Sequence, residues 1–382
     1  MSQKWDVIVV GMGAMGSAAV WHLARRGMRV LGIEQFSRGH NRGSSHGGSR
    51  IIRNAYFEHS NYVPLLRRSD VLWNELEERS GAKLIHRCGL LYGGLHASEV
   101  IAGVRHSALL HGIQFESIEP AKISNRFPAF AKYAEPIEEF IFEPHAGFVR
   151  PERAICAMLA DAEENGAIVR EGAAVDHWHE RADFVEVTAG GITECADALV
   201  LCPGAWTPEL ARELNVPLVN ARQVIGWITP YESRQDESNA MPAFFMEREG
   251  GASMYGVPTA SDQGMPSGIK VGFHGDGQEC TADSIDRVVR AEEISAIEKA
   301  FARAAPSLAG AVTASTVCMY TNTPDGHFVI DRMPRLRRTS IACGFCGHGF
   351  KFAPVVGEIL ADLAMRGETN LPADFLRQNR FA

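Results

Sequence analysis

Residues 6–20 read DVIVVGMGAMGSAAV. A run of β-branched apolar residues stops at Gly11, and glycines at 11, 13 and 16 lead into small residues that suit a helix. An apolar run halted by glycine and followed by alanine-rich sequence reads as a buried strand turning into a helix. In Gly11-x-Gly13-x-x-Gly16 the first glycine permits the tight turn. The second lets a pyrophosphate approach the backbone, and the third lets helix and strand pack closely. Residues 29–34 (RVLGIE) read as the next strand, and Glu34 closes it where a carboxylate accepts ribose hydroxyls. Strand, helix, strand in this order imply a parallel sheet.

The same architecture recurs near the other end. Residues 341–357 (IACGFCGHGFKFAPVVG) read as a strand that turns through glycines into a helix. Two helix N-termini aimed at one large anion from opposite ends of the chain point to a dinucleotide held along its whole length. That favours a flavin over a freely exchanging nicotinamide, which would leave the GHGFKF segment unexplained.

Between these ends the pattern is mixed. The helix at 14–26 presents Ala18, Ala19 and Leu23 to the sheet. Residues 37–49 (SRGHNRGSSHGGS) have no hydrophobic period and read as a ligand-touching loop. Helices are expected at 61–80, near 97–112, at 151–165 with Pro151 in its first turn, at 283–304 and at 354–366. A strand pair around 183–202 ends in ALVLCPGAW, and 221–275 read as an antiparallel sheet. No internal repeat is visible. The fold class is α/β with an α+β portion: a Rossmann-like domain built from 1–83, 150–218 and 320–382, interleaved with an antiparallel-sheet substrate domain of 84–149 and 219–319.

A chain of 382 residues with 46% hydrophobic content is large enough for two domains. A net charge of −8 argues against a nucleic-acid partner. Asp6 interrupts the apolar start, so no secretory leader is expected, and the apolar stretches are too broken for a membrane span. The C-terminal RQNRFA is not a peroxisomal address. Eight scattered cysteines read as free thiols in a reducing cytoplasm, and no metal site is expected.

Several single residues carry chemistry or plain structure. Cys318, in TVCMYTNTPDGHFVID, is either a buried structural thiol, the commoner role, or a thioether to a flavin ring. Cys343-Gly-Phe-Cys346 lacks a second ligand pair and reads as two unpaired cysteines lining a turn. Lys351 sits where a helix begins, a place unfavourable to cations unless an anion lies nearby. Its apolar neighbours Phe350, Phe352 and Pro354 count against a solvated surface position. Arg50 and Arg53, three apart, are either a carboxylate clamp or a pair of surface arginines. Lys270 and His274 share a strand face that looks into a cavity or into solvent.

Taken together these motifs resemble one family. VIVVGMGAMGSAA, GSSHGGSRIIRNAY, YVPLLRRSDVLW, FEPHAGFVRPE, VLCPGAW, IKVGFH, VCMYTNTPDGHFVID and GFCGHGFKFAPVVGE are similar, nearly end to end, to monomeric sarcosine oxidase and N-methyltryptophan oxidase. These belong to the wider group of FAD amine oxidases built like D-amino acid oxidase. The resemblance implies covalent FAD, with Cys318 joined to the 8α carbon, which reverses the structural reading of that thiol. It implies that Lys270 stands over the flavin and promotes its reaction with oxygen, by stabilising developing negative charge. Arg53 and Lys351 would hold the substrate carboxylate. Tyr255, Met246 and His274 would shape the pocket, with Tyr320 lining it. His46 and Arg50 would lie against the flavin ring. Val175 would offer its backbone to the adenine. Ala14, Met15, Ser44, Ser49, Gly347, Gly349 and Phe350 would complete the cofactor site with Gly11, Gly13, Gly16 and Glu34.

The implied activity is oxidation of an N-methyl amino acid, sarcosine first, to glycine and formaldehyde with release of hydrogen peroxide, by a cytoplasmic monomer. Its partners are the secondary amino acid and O2. N-methyltryptophan, pipecolate or another bulkier secondary amine is the alternative substrate. A dehydrogenase passing electrons to another acceptor is the alternative class, and retention of Lys270 argues against it. A non-catalytic flavoprotein would be expected to have lost the Arg53 and Lys351 clamp. The chain departs from the family pattern in four places. Ser45-His46 stands where two histidines are common, Ser49 where threonine is usual and Cys346 where serine is common. The loop 256–269 does not match position by position.

Overall fold

The computed structural model describes residues 4–232, 240–259, 266–275 and 277–381. Residues 233–239 of the expected 221–275 sheet and 260–265 of the loop 256–269 lie outside the described residues.

The opening apolar run forms the strand Trp5–Val10, which pairs in parallel with Val30–Ile33 on one side and Ile192–Leu201 on the other. Ile168–Arg170 and Thr339–Cys343 extend the parallel sheet outward, and Val329–Arg332 closes one edge antiparallel. The register aligns Val10 with both Ile33 and Leu201, so three strand ends reach one level. Open parallel sheets bind ligands beyond the carboxyl ends of their strands.

Alternate residues of each strand serve opposite faces. Val7 and Val9 join Val30 and Val200 in a core with the helices Ala14–Arg25, Val63–Ser80, Pro151–Glu164 and Ala353–Arg366. Ile8 and Val10 face a second core covered by the antiparallel strands Val175–Glu180 and Val185–Ala189. The first and last of these helices nearly touch backbone to backbone. A Cβ added to Gly357 would lie 2.4 Å from the carbonyl carbon of Ala18.

Among the described residues the second sheet has nine strands. Its long members are Val219–Pro230 and Gly310–Asn322, which pair antiparallel along most of their length. Gly310–Asn322 runs through the boundary drawn at 319/320 from the sequence. The sheet departs from the antiparallel expectation at one join, where Ala243–Arg248 pairs in parallel with Leu90–Gly94. A third, three-stranded sheet joins Arg50–Ile52, Gly147–Val149 and Ile85–His86.

The helix expected at 283–304 is shorter, Ala291–Ala304. Arg222, buried in the second sheet, draws the carbonyls of Asp286 and Val288 to its guanidinium at 2.6 and 2.8 Å. Those carbonyls are held outside any helical ladder. The helix starts only where the amide of Arg290 can donate to Glu293 at 2.8 Å. All eight cysteines are free, and no helix of the described residues is long and apolar enough to cross a membrane.

Candidate active site

The aligned strand ends open on a cleft of about 350 Å³. Gly11, Gly13, Ala14, Met15, Glu34, Ser44, Arg50, Val175, Gly347, Gly349 and Phe350 line it. Gly11 has φ +88°, and a Cβ there would sit 2.3 Å from the carbonyl oxygen of Cys202, so only glycine fits. Gly16 lies behind the cleft, where its missing side chain lets the helix close on the carbonyl of Gly11. The helix that follows has Gly13 as its N-cap, no side-chain cap and no acid in its first turn. The Ala14 amide reaches the Ser45 hydroxyl at 3.3 Å, and the remaining first-turn amides are left for an anion. The Glu34 carboxylate takes the amides of Met12 at 2.7 Å and Phe36 at 3.0 Å, which holds the glycine turn against the end of the second strand.

A second, smaller cavity of about 70 Å³ meets the cleft at Arg50, Tyr320, Gly347 and Phe350, which line both. Ser49, Arg53, Tyr255, His274, Cys318 and Lys351 line the smaller cavity. Arg53 and Lys351 come from opposite ends of the chain and are both buried. Lys351 sits in a short 3-10 turn, Phe350–Phe352, just ahead of the last helix. Its ammonium folds back onto the His348 carbonyl at 2.6 Å, while its own carbonyl accepts from Ser69 and Trp73. The residue is thus anchored by backbone contacts, away from the helix axis that would repel it.

The guanidinium of Arg53 lies over the rings of Tyr56 and Phe57, 4.2 and 4.4 Å from their centroids. It donates to Glu58 at 2.5 Å and to the Ala55 carbonyl at 3.2 Å. Burial opposes ionisation of Glu58, yet Arg53, His348 and Lys351 together hold its carboxyl down at about 2. Burial pushes Lys351 well below the usual lysine range, and Arg53 adds to the effect. His274 is pushed down to about 4 by burial, so it is a neutral imidazole, 3.3 Å from the Tyr320 hydroxyl. Burial pushes Tyr255 up to about 12, which keeps it a phenol.

Besides Gly16, three expected residues lie elsewhere. Met246 is not at the cavity. Neighbouring side chains on a strand point to opposite faces, so Phe245 takes the cavity and Met246 joins the core beneath the second sheet. Lys270 and His46 line neither space and sit one layer behind. The Lys270 ammonium donates to the Ser49 carbonyl at 2.5 Å, and burial pushes it well below its ordinary range. His46 is pushed down to about 3 by burial, and its Nε2 has no hydrogen-bond partner among the described residues. Cys318 lies 3.5 Å from an Arg50 nitrogen, at the junction of the two cavities.

The sequence reading passed over three acids and one wall. Glu58 pairs with Arg53; Glu143, fully buried, receives the amides of Asn54 and Ala55 and the Tyr92 hydroxyl; Glu152 receives the amides of Gly47 and Gly48. The wall of Phe245, Val257 and Leu90 is likewise unmarked in sequence. Glu143 and Glu152 do lie inside FEPHAGFVRPE, and a carboxylate embedded in so apolar a stretch was the available signal.

A glycine-walled cleft at the ends of parallel strands, opening on a small cavity lined by cations, defines an enzyme that brings a bound dinucleotide to a small anionic substrate. The profile of the family described as FAD dependent oxidoreductase (DAO) matches residues 6–363, and the chain belongs to that family. It is 42% identical to a monomeric sarcosine oxidase of Streptomyces avermitilis, over 100% of this chain and 99% of the relative. It is 32% identical to an N-methyl-L-tryptophan oxidase of Salmonella dublin, over 99% of this chain and 100% of the relative. NikD, an unusual amino acid oxidase essential for nikkomycin biosynthesis, has the same fold, with a TM-score of 0.84 at 22% identity over 98% of each chain. FAD fits the cleft: the helix N-terminus that opens on it, with no acid in its first turn, suits a pyrophosphate.

Proposed function

We propose that this chain oxidises N-methyl amino acids with FAD and oxygen, taking sarcosine, O2 and water to glycine, formaldehyde and hydrogen peroxide. The observation that carries the reading is the small cavity with Arg53 and Lys351 in its wall, joined to the cofactor cleft beside Cys318. Two cations at one end suit a carboxylate, and a space of about 70 Å³ suits a small amino acid better than an indole.

Arg53 and Lys351 receive the carboxylate and fix the amine end toward the cleft. A neutral His274 offers an acceptor for the amine N–H, and the Tyr320 hydroxyl beside it keeps the ring oriented. Phe245, Tyr255 and Val257 exclude water from the reacting carbon. When bound, FAD supplies the redox chemistry, accepting a hydride equivalent from the carbon next to nitrogen and returning electrons to oxygen. Cys318 provides the thioether that tethers it. Lys270 would supply positive charge where oxygen is reduced, Arg50 would border the ring, and His46 would stand one layer behind it. We further read the chain as a monomeric cytoplasmic enzyme of two domains, divided as the sequence suggests.

Peroxide release by purified protein in air, across sarcosine, N-methylalanine, N-methyltryptophan, pipecolate and proline, tests the proposal. Sarcosine should turn over fastest. Preference for N-methyltryptophan or pipecolate would replace the substrate. Bleaching of the yellow protein under nitrogen without peroxide in air would make it a dehydrogenase.

A further inference from the structure

The turn at 46–49 is gripped from two sides. Gly47 and Gly48 both have positive φ, 93° and 76°, and both present their amides to one oxygen, Glu152 Oε1, at 2.6 and 3.1 Å. On the other side the Ser49 carbonyl accepts from the Lys270 ammonium at 2.5 Å and from Arg50 at 2.8 Å, while Arg150 donates to the Gly48 carbonyl at 2.9 Å. Three cations therefore converge on two neighbouring carbonyls. Glu152 is the carboxylate whose charge reaches His46, Arg50 and Lys270 alike. It stands in the first turn of the helix Pro151–Glu164, a rigid mount, and the amides it holds are 105 and 104 residues away in sequence. An acid placed there only to complement the helix would not converge on a remote turn. The glycines leave little slack: a Cβ on Gly47 would come within 3.3 Å of Ile225 and 3.8 Å of the Lys270 nitrogen.

We propose that Glu152 is a positioning residue for the oxygen-reacting side of the site: its carboxylate fixes the 46–49 turn and, through the Ser49 carbonyl, the ammonium of Lys270. This rests on the role given to Lys270 above. The effect has a geometric and an electrostatic part. Burial disfavours the charge of Lys270, as do Arg50 and Arg150, and Glu152 favours it; Cys318 favours it only as a free thiol and loses that effect once joined to the flavin. Glu152→Gln keeps an oxygen for the two amides and removes the charge; Glu152→Ala removes both.

The test separates the half-reactions of the flavin-loaded enzyme by stopped flow. Reduction by sarcosine under nitrogen should stay within about twofold of the parent in both variants. Reoxidation by oxygen should fall about tenfold or more in Glu152→Ala, the rate equivalent of one charge-assisted hydrogen bond. In Glu152→Gln the oxygen step should lose rate at lower pH than in the parent, because Lys270 gives up its proton sooner. Sulfite affinity, read from bleaching of the oxidised protein, should weaken in Glu152→Ala independently of turnover. Equal slowing of both half-reactions, or an unchanged oxygen step with unchanged sulfite affinity, would overturn the proposal. Lys270→Met is the control for the underlying reading: if its oxygen step is normal the role of Lys270 fails, and sulfite affinity alone then decides whether Glu152 positions the turn.

Discussion

Glu143 lies fully buried directly behind the residues that carry Arg53. Burial pushes its carboxyl up to about 7, against the opposing pull of the Asn54 and Ala55 amides and of Arg53. An acid whose folded value is raised contributes stability that is complete below its unfolded value, near 4.5, and is lost as pH climbs through the folded one. The difference is on the order of 3 kcal/mol. Glu143→Gln should flatten this fall, so the gap in melting temperature between pH 5 and pH 8.5 should shrink relative to the parent. A gap of unchanged size would show that Glu143 ionises freely in the fold. At this scale the sequence was legible where a residue type has few uses, as with the glycines of the first turn, and where a motif carried it, as with Arg53 and Lys351. It was mute about Glu58, because an isolated acid looks the same whether it faces water or a buried amide, and it marked Glu143 and Glu152 only by the apolar stretch around them. Met246 was misplaced for a different reason: motif matching finds the strand, but only the pairing register decides which of two neighbours faces the cavity.

Elements were easier to read than their junctions. The opening strand, turn and helix announce themselves because apolar period and glycine spacing agree. The parallel join between Leu90–Gly94 and Ala243–Arg248 did not, since pairing partners far apart in sequence leave no local trace. Nor did the late start of the helix Ala291–Ala304, which is decided by Arg222 on another element. The contact between the first and last helices belongs to this scale. Gly357→Ala would drive a methyl group into the backbone of Ala18, and the two helices must part to admit it. We expect a loss of about 1–3 kcal/mol, seen as a lower melting temperature of the flavin-loaded protein. Full retention of stability would mean that the helices can slide.

The whole molecule is built around a cleft lined from the start, middle and end of the chain, so that a cofactor bound there would join all three. Such a ligand stabilises the native state by mass action whenever it binds folded chain alone, by about 2.7 kcal/mol at a hundredfold excess over Kd. In the parent the tether proposed at Cys318 would hide this dependence. In Cys318→Ser the flavin should come free in acid, and the melting temperature should climb with added FAD. Flavin that acid also extracts from the parent would refute the thioether, and a melting temperature indifferent to FAD would mean that the cleft adds nothing to the fold. That both ends of the chain reach one cleft was visible from sequence, because a glycine turn stood at each. The smaller cavity was not, since its walls come from the second sheet, the three-stranded sheet and the turn at 347–351, and exist only after these meet.

The strand Thr339–Cys343 joins the parallel sheet beside Ile192–Leu201, and the glycine turn after it supplies Gly347, Gly349 and Phe350 to the cleft. These residues are made long after the first turn. A nascent chain can assemble the first strand, helix and turn early, yet it lacks the far wall of the cleft until residues 339–350 have followed. A chain that stops before residue 339 leaves a sheet edge unpaired and offers a dinucleotide only half a berth.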